Sequence, residues 1–125
     1  MNRFTVLIAD DRAIFREGLR TLLAQADDIQ VVGEAADGLH AINIAERLQP
    51  DILLLDIRMS GLGGIVAIPQ IHKKSPRIRV VIFTGHPDNE FMVQTLQPGA
   101  KGCLEKTLGH EDAVRAIRAM YNGEI

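Results

Sequence analysis

Two short, almost wholly apolar runs in this chain each stop on acid. Phe4-Thr5-Val6-Leu7-Ile8-Ala9 leads into Asp10-Asp11, and Ile52-Leu53-Leu54-Leu55 leads into Asp56. Runs this short and this rich in branched residues read as strands buried on both faces, as in a parallel sheet. Ligands of open α/β sheets collect outside the carboxyl ends of the strands. Two neighbouring strands of this kind would bring three carboxylates to one crevice. Such a cluster repels itself unless protons or a divalent cation neutralise it. The pattern therefore points to a metal-dependent acidic pocket.

Strand-like and helical stretches alternate along the rest of the chain. After the first run, Ile14, Phe15, Leu19, Leu22 and Leu23 recur at helical spacing, and Asp27-Asp28 closes that helix. Arg12, Arg16 and Arg20 lie between them and read as a solvated helix face first and a partner surface second. Residues 30–35 form a second strand. Gly38 to Leu48 is helical, with Leu39, Ile42, Ala45 and Leu48 turned inward and Pro50 as the stop. Residues 51–56 are the central strand. Ile65, Ile68 and Ile71 have partial helical spacing, with Pro69 inside unless the first turn begins late. Residues 79–84 form a fourth strand, 89–96 a short helix cut by Pro98-Gly99, and 100–104 a thin fifth strand. The segment 110–121 is a final amphipathic helix with Ala113, Val114, Ile117 and Tyr121 as its core stripe. Five strands alternating with five helices predict a doubly wound α/β fold of flavodoxin-like topology, with the parallel strand order 2-1-3-4-5. That order sets the first and third strands side by side and joins Asp10, Asp11 and Asp56.

With 125 residues the chain fits one domain over 1–125, able to bury roughly two-thirds of its unfolded surface. A net charge of −2 gives no general attraction to nucleic acid. The single Cys103 cannot form an internal disulfide. The first strand reaches Asp10 too soon for a secretory signal, and no apolar stretch approaches the roughly 20 residues that cross a bilayer. A cytoplasmic protein is expected. His40, His72, His86 and His110 lack any paired zinc spacing and read as surface residues.

The far strands also deliver polar residues at their carboxyl ends. Thr84 ends the fourth, and Lys106 follows the fifth. A divalent ion held by oxygens suits Mg²⁺, which takes one or two carboxylates, several waters and a phosphate oxygen. Lys106 and Thr84 would hold the other oxygens of a phosphoryl group, and Asp56 would be the nucleophile that forms an acyl phosphate.

At these residues the chain resembles the receiver domain of a two-component response regulator, over nearly its whole length. The resemblance rests on Asp10-Asp11, on Asp56 with Met59 and Gly64 following, on Thr84-Gly85, and on Gly99-Ala100-Lys101-Gly102 leading to Lys106. The stretch 10–19, and Ala116-Ile117-Arg118 with Gly123-Glu124, are similar to the NarL/FixJ-type branch, whose members usually continue into a LuxR-type DNA-binding domain. No segment here matches that output domain, so an isolated receiver or a truncated chain is expected, without direct contact to nucleic acid or membrane. The resemblance implies that Asp56 accepts a phosphoryl group from a phosphohistidine on a sensor histidine kinase. It implies that Asp11 binds Mg²⁺ directly, Asp10 partly through water, and the backbone carbonyl of Arg58 completes the ligands. Thr84, Gly85 and Lys106 would contact the phosphoryl oxygens and switch. Two receivers would pair through the first and fifth helices, or through the fourth helix, fifth strand and fifth helix. Such a domain is no enzyme beyond promoting its own phosphotransfer and autodephosphorylation.

The chain departs from that pattern at a few positions. Cys103 stands where these domains most often carry a switching aromatic ring, and reads as a small core residue. Ser60 stands where proline commonly follows Met59, which leaves that loop less fixed. Thr107 stands where proline often supports a cis peptide, and a cis Lys106–Thr107 bond, costing about 3 kcal/mol, would persist only if the site demands it. Arg58 and His86, each two residues past a key position, would tune the phosphate lifetime or simply remain solvated. Other functions fit less well. A haloacid-dehalogenase-type phosphatase needs a second Asp where Arg58 stands, and a flavodoxin-like cofactor binder needs a phosphate loop where Asp10-Asp11-Arg12 stands. A degenerate receiver working by phosphate-independent contacts is the remaining alternative.

Overall fold

The two apolar runs are adjacent parallel strands, and apart from Thr5 every residue in them is buried. The computed structural model describes residues 3–56, 64–84, 102–105 and 110–123, with side chains at 64–65, 84, 102–105 and 110–111 excepted. In chain order the elements are β1 (Phe4–Ala9), α1 (Ala13–Ala24), β2 (Ile29–Ala35), α2 (Gly38–Leu48), β3 (Ile52–Leu55), α3 (Gly64–Lys74), β4 (Arg79–Thr84), β5 (Gly102–Glu105) and α4 (His110–Asn122). All pairings are parallel, in the order β2-β1-β3-β4-β5. The helix expected over 89–96 lies outside the described residues, as do Pro98 and Gly99.

Side-chain alternation explains why the central strands are apolar throughout. Leu7, Ala9, Leu53, Leu55, Val80 and Ile82 face one way and pack on Ala41, Ile42, Ile44 and Ala45 of α2 and on Ala67, Ile68 and Ile71 of α3. Val6, Ile8, Ile52, Leu54, Val81 and Phe83 face the other way and pack on Leu19 and Leu23 of α1 and Ile117 and Met120 of α4. A strand covered on both sides has no solvent face to make polar. Each Leu or Ile so buried contributes roughly 1.5–3 kcal/mol against exposure.

Several sequence expectations change at the helix surfaces. Ile14 is 86% exposed, because five residues carry it about 140° round the helix from the buried Leu19. Leu39 and Leu48 lie in the first and last turns of α2 and are exposed, while Ala41 and Ile44 take the inner positions. Pro69 stands inside α3, which begins at Gly64 rather than late. The missing N–H removes one helical hydrogen bond, and the buried Ala67, Ile68 and Ile71 hold the helix on the sheet. α1 ends at Ala24, before Asp27 and Asp28. In α4 Met120 is buried and Tyr121 half-buried; Tyr121 stacks on Phe4 at 4.2 Å between ring centroids.

One bulge shapes the edge of the sheet. Val6 pairs with Val31, but Leu7 pairs with Gly33, so β2 carries an extra residue at Val32. A side chain at Gly33 would stand 3.1 Å from Leu48 Cδ1 and 3.3 Å from Leu7 Cδ1, so glycine fits where the strand is crowded. Past the bulge Glu34 lies beside Ile8, on the α1 side; in the unshifted register it would lie beside Ala9, on the opposite face.

α4 is tied across the sheet by Arg118, which donates from Nε and a terminal nitrogen to the two oxygens of Asp28, both at 2.8 Å. Hydrogen bonding to Arg118 holds the Asp28 carboxyl below the usual carboxylate range, against the opposing effect of its burial. A depressed folded-state pKa stabilises above the unfolded value and loses that stabilisation as pH falls through the folded one. Arg118→Ala is therefore expected to lower stability by up to about 1 kcal/mol at neutral pH, as for a well-formed surface pair. In urea titrations the gap from wild type should narrow from pH 5 toward pH 3; a gap independent of pH would contradict this account.

Candidate functional site

The register of β1 and β3 brings the acids together. Ala9 pairs with Leu55, so the residues that follow, Asp10 and Asp56, leave the sheet side by side. The Asp56 N–H donates to the Ala9 carbonyl at 2.9 Å, and the Asp10 N–H donates to the Ala35 carbonyl at 3.0 Å. Each backbone is thus held one residue beyond its strand. Asp10 and Asp56 are buried, and Asp11 is the more exposed of the three. One ligand oxygen from each of the three lies within 4.8 Å of the others.

Asp10 also organises the start of α1. Its Oδ1 accepts from the Arg12 N–H at 2.9 Å, an N–H that the helix itself leaves unsatisfied, and Arg12 adds no side-chain cap of its own. The Arg12 guanidinium stands 3.7 Å from the same oxygen but is largely solvated, so the ion pair adds little. Arg16 is not the solvated residue expected from its place in the arginine row. Only 19% of its side chain is exposed; it donates to the Asp10 backbone carbonyl at 2.6 Å and its Nε donates to Glu34 at 3.2 Å. Arg20 reaches the other Glu34 oxygen at 3.0 Å. The sequence hint was Gly33 inside a strand pattern, a sign of a bulge that would turn Glu34 toward these arginines.

Thr84 closes β4. Leu55 pairs with Ile82, so Thr84 comes two residues beyond that pair, at the same edge as Asp56. Cys103 is the second residue of β5, beside Ile82 in the ladder. The side chains of Thr84 and Cys103, and all of Arg58, Met59, Ser60, Gly85, His86, Lys106 and Thr107, lie outside the described residues. So does the Lys106–Thr107 peptide bond. His40 and His72 are exposed, as expected. Among the described residues no helix is long and apolar enough to cross a membrane.

The three carboxylates suit a small hard cation. They offer oxygen only, and opposite ligands of a Mg²⁺ ion stand about 4.2 Å apart, close to the spread of this cluster. With two of the acids buried, a cation here would interact in a medium less screening than water.

Residues 6–118 match the family model described as the response regulator receiver domain. The nitrate/nitrite response regulator NarL of Escherichia coli K12 is 38% identical over 121 residues, 97% of this chain and 56% of that protein. The chain thus spans about half the length of this curated relative. Among solved structures, the signal receiver domain of NarL from Mycobacterium tuberculosis superposes with a TM-score of 0.93 at 32% identity, covering 98% of this chain and 99% of that one. A LuxR-family two-component response regulator from Aurantimonas sp. SI85-9A1 also gives 0.93, at 33% identity, covering 98% of this chain and 87% of its own.

Proposed function

This chain belongs to the response regulator receiver family, and on that premise we propose that it is a phosphorylation-controlled switch whose phosphoacceptor is Asp56. The observation supporting this most strongly is the meeting of Asp10, Asp11 and Asp56 at the carboxyl ends of two adjacent strands. A carboxylate oxygen of Asp56 attacks the phosphorus of a phosphohistidine on a sensor histidine kinase. The N–P bond breaks, the imidazole keeps the electron pair, and an acyl phosphate forms on Asp56. Asp10, Asp11, Asp56 and the carbonyl of Arg58 would hold Mg²⁺, which offsets the repulsion between the anionic donor and the acidic pocket. Asp10, fixed through its backbone and through the Arg12 N–H, presents its carboxylate without needing to reorganise.

Thr84, Gly85 and Lys106 are proposed to contact the phosphoryl oxygens and pass the change to the receiver surface. The phosphorylated state would favour pairing of two receivers, through α1 with α4 or through the segment 89–96 with β5 and α4. That segment completes the proposed five-helix, five-strand arrangement. The output would be a LuxR-type DNA-binding domain in the full-length protein, which would act in the cytoplasm. The physical basis is a two-state element biased by a new dianion.

Metal linkage gives a direct test. Mg²⁺ at ten times its dissociation constant should stabilise the fold by about 1.4 kcal/mol, a rise of roughly 5–6 °C in melting temperature for a domain this size. EDTA should reverse it, and Asp11→Asn should lower the affinity at least tenfold. Equal shifts in wild type and Asp11→Asn would contradict the assignment.

A further inference from the structure

We propose that Arg16 is a positioning residue for the acidic pocket: anchored on Glu34, its guanidinium holds the Asp10 backbone carbonyl and so sets the turn that presents Asp10 and Asp11 to a cation. The inference rests on the receiver reading above and extends it to two residues outside the acidic cluster. A guanidinium is a planar fork, able to donate in two directions at once. Here one terminal nitrogen donates to the Asp10 carbonyl at 2.6 Å while Nε donates to Glu34 Oε1 at 3.2 Å. Arg20 takes the second Glu34 oxygen at 3.0 Å, so Glu34 is held from two successive turns of α1 and cannot swing away at low cost.

Three features make this a built arrangement. The bulge at Val32 turns Glu34 to the α1 side of the sheet, which the unshifted register would not do. Arg16 and Glu34 are both largely sheltered, at 19% and 25% side-chain exposure, so their hydrogen bonds are less weakened by water than those of an exposed pair. Finally, both backbone polar groups of Asp10 are committed: its N–H to Ala35 of β2, its carbonyl to Arg16 of α1. The turn between β1 and α1 is thereby pinned to its neighbours on two sides, and the ligand carboxylates ride on that turn. Partners one layer out from a metal site commonly matter 10–100-fold in affinity.

The sign of the effect separates positioning from charge. Arg16 is a cation bonded to the backbone of one of the three acids, so as a mere charge it would oppose a divalent ion in the pocket, and removing it would strengthen binding. As a positioning residue its removal weakens binding. The probe is Mn²⁺ alone, with free ion counted by its electron paramagnetic resonance signal, on wild type, Arg16→Met and Arg16→Lys. Arg16→Met is expected to bind Mn²⁺ roughly tenfold more weakly. Arg16→Lys keeps the charge, loses the fork, and should stay weakened. Unchanged or tighter binding by Arg16→Met overturns the proposal, whatever its melting temperature in EDTA. Should Arg16→Met not fold, Arg16→Lys carries the test alone: its charge is unchanged, so weaker Mn²⁺ binding reports the loss of the fork, and binding equal to wild type overturns the proposal. Asp11→Asn is the control. If wild type shows no Mn²⁺ binding that Asp11→Asn removes, the receiver reading itself fails; if that control holds and the Arg16 variants match wild type, only the clamp fails.

Discussion

Asp56→Asn is expected to fold normally and to take up no phosphoryl group, from a small donor or from a phosphohistidine. The substitution replaces one carboxylate oxygen by an amide nitrogen of nearly the same size, so the backbone bond from the residue-56 N–H to Ala9 and the packing of β3 are untouched. What disappears is the nucleophile, since an amide oxygen does not displace an imidazole from phosphorus. The loss should be complete within detection rather than partial, because no step downstream can compensate for an acceptor that is absent. Asp10 and Asp11 lie within 4.8 Å and are the specific alternative acceptors. Labelling of the Asp56→Asn protein that maps to either of them would reassign the site. A Tm within a few degrees of wild type establishes that the loss is chemical.

The second large effect is on stability. Leu53→Ala is expected to cost about 2–5 kcal/mol, the range for emptying a buried leucine site. Leu53 is fully buried at the centre of the sheet, between Leu7 of β1 and Val80 of β4. Backbone on both sides limits collapse into the vacated space, which favours the upper part of that range. Small domains are stable by about 5–15 kcal/mol, so a loss at the upper end of the expected cost removes a third or more of the total. Urea unfolding should show a lower midpoint with an unchanged slope. A loss below 1 kcal/mol would mean that the core repacks around the site. Because β3 ends on Asp56, the same variant should also bind Mg²⁺ less tightly under conditions where it remains folded.

Much of this was legible in the residues, for identifiable reasons. Strands buried on both faces are apolar throughout, so β1 and β3 stood out, and the acids that end them stood out in turn. The end of α2 was read correctly because Pro50 stops it; at its start the structure adds a cap, the Asp37 side chain accepting from the His40 N–H. The burial of individual helix residues was harder to read. Ile14 and Leu39 fit an apolar stripe by type, but their angle and position on the helix leave them in water. Arg16 was misread for the complementary reason. A charged residue on a helix usually faces solvent, and its sheltered role depends on Glu34 reaching the α1 side through a bulge 16 residues downstream, a register effect that local periodicity cannot report.

The most direct test of the central claim is the intact mass of the protein after incubation with acetyl phosphate and Mg²⁺, with and without EDTA, on wild type and Asp56→Asn. A single phosphoryl adduct on wild type, lost with EDTA and absent in Asp56→Asn, is the predicted result. An adduct that survives the chelator or persists in Asp56→Asn would contradict it.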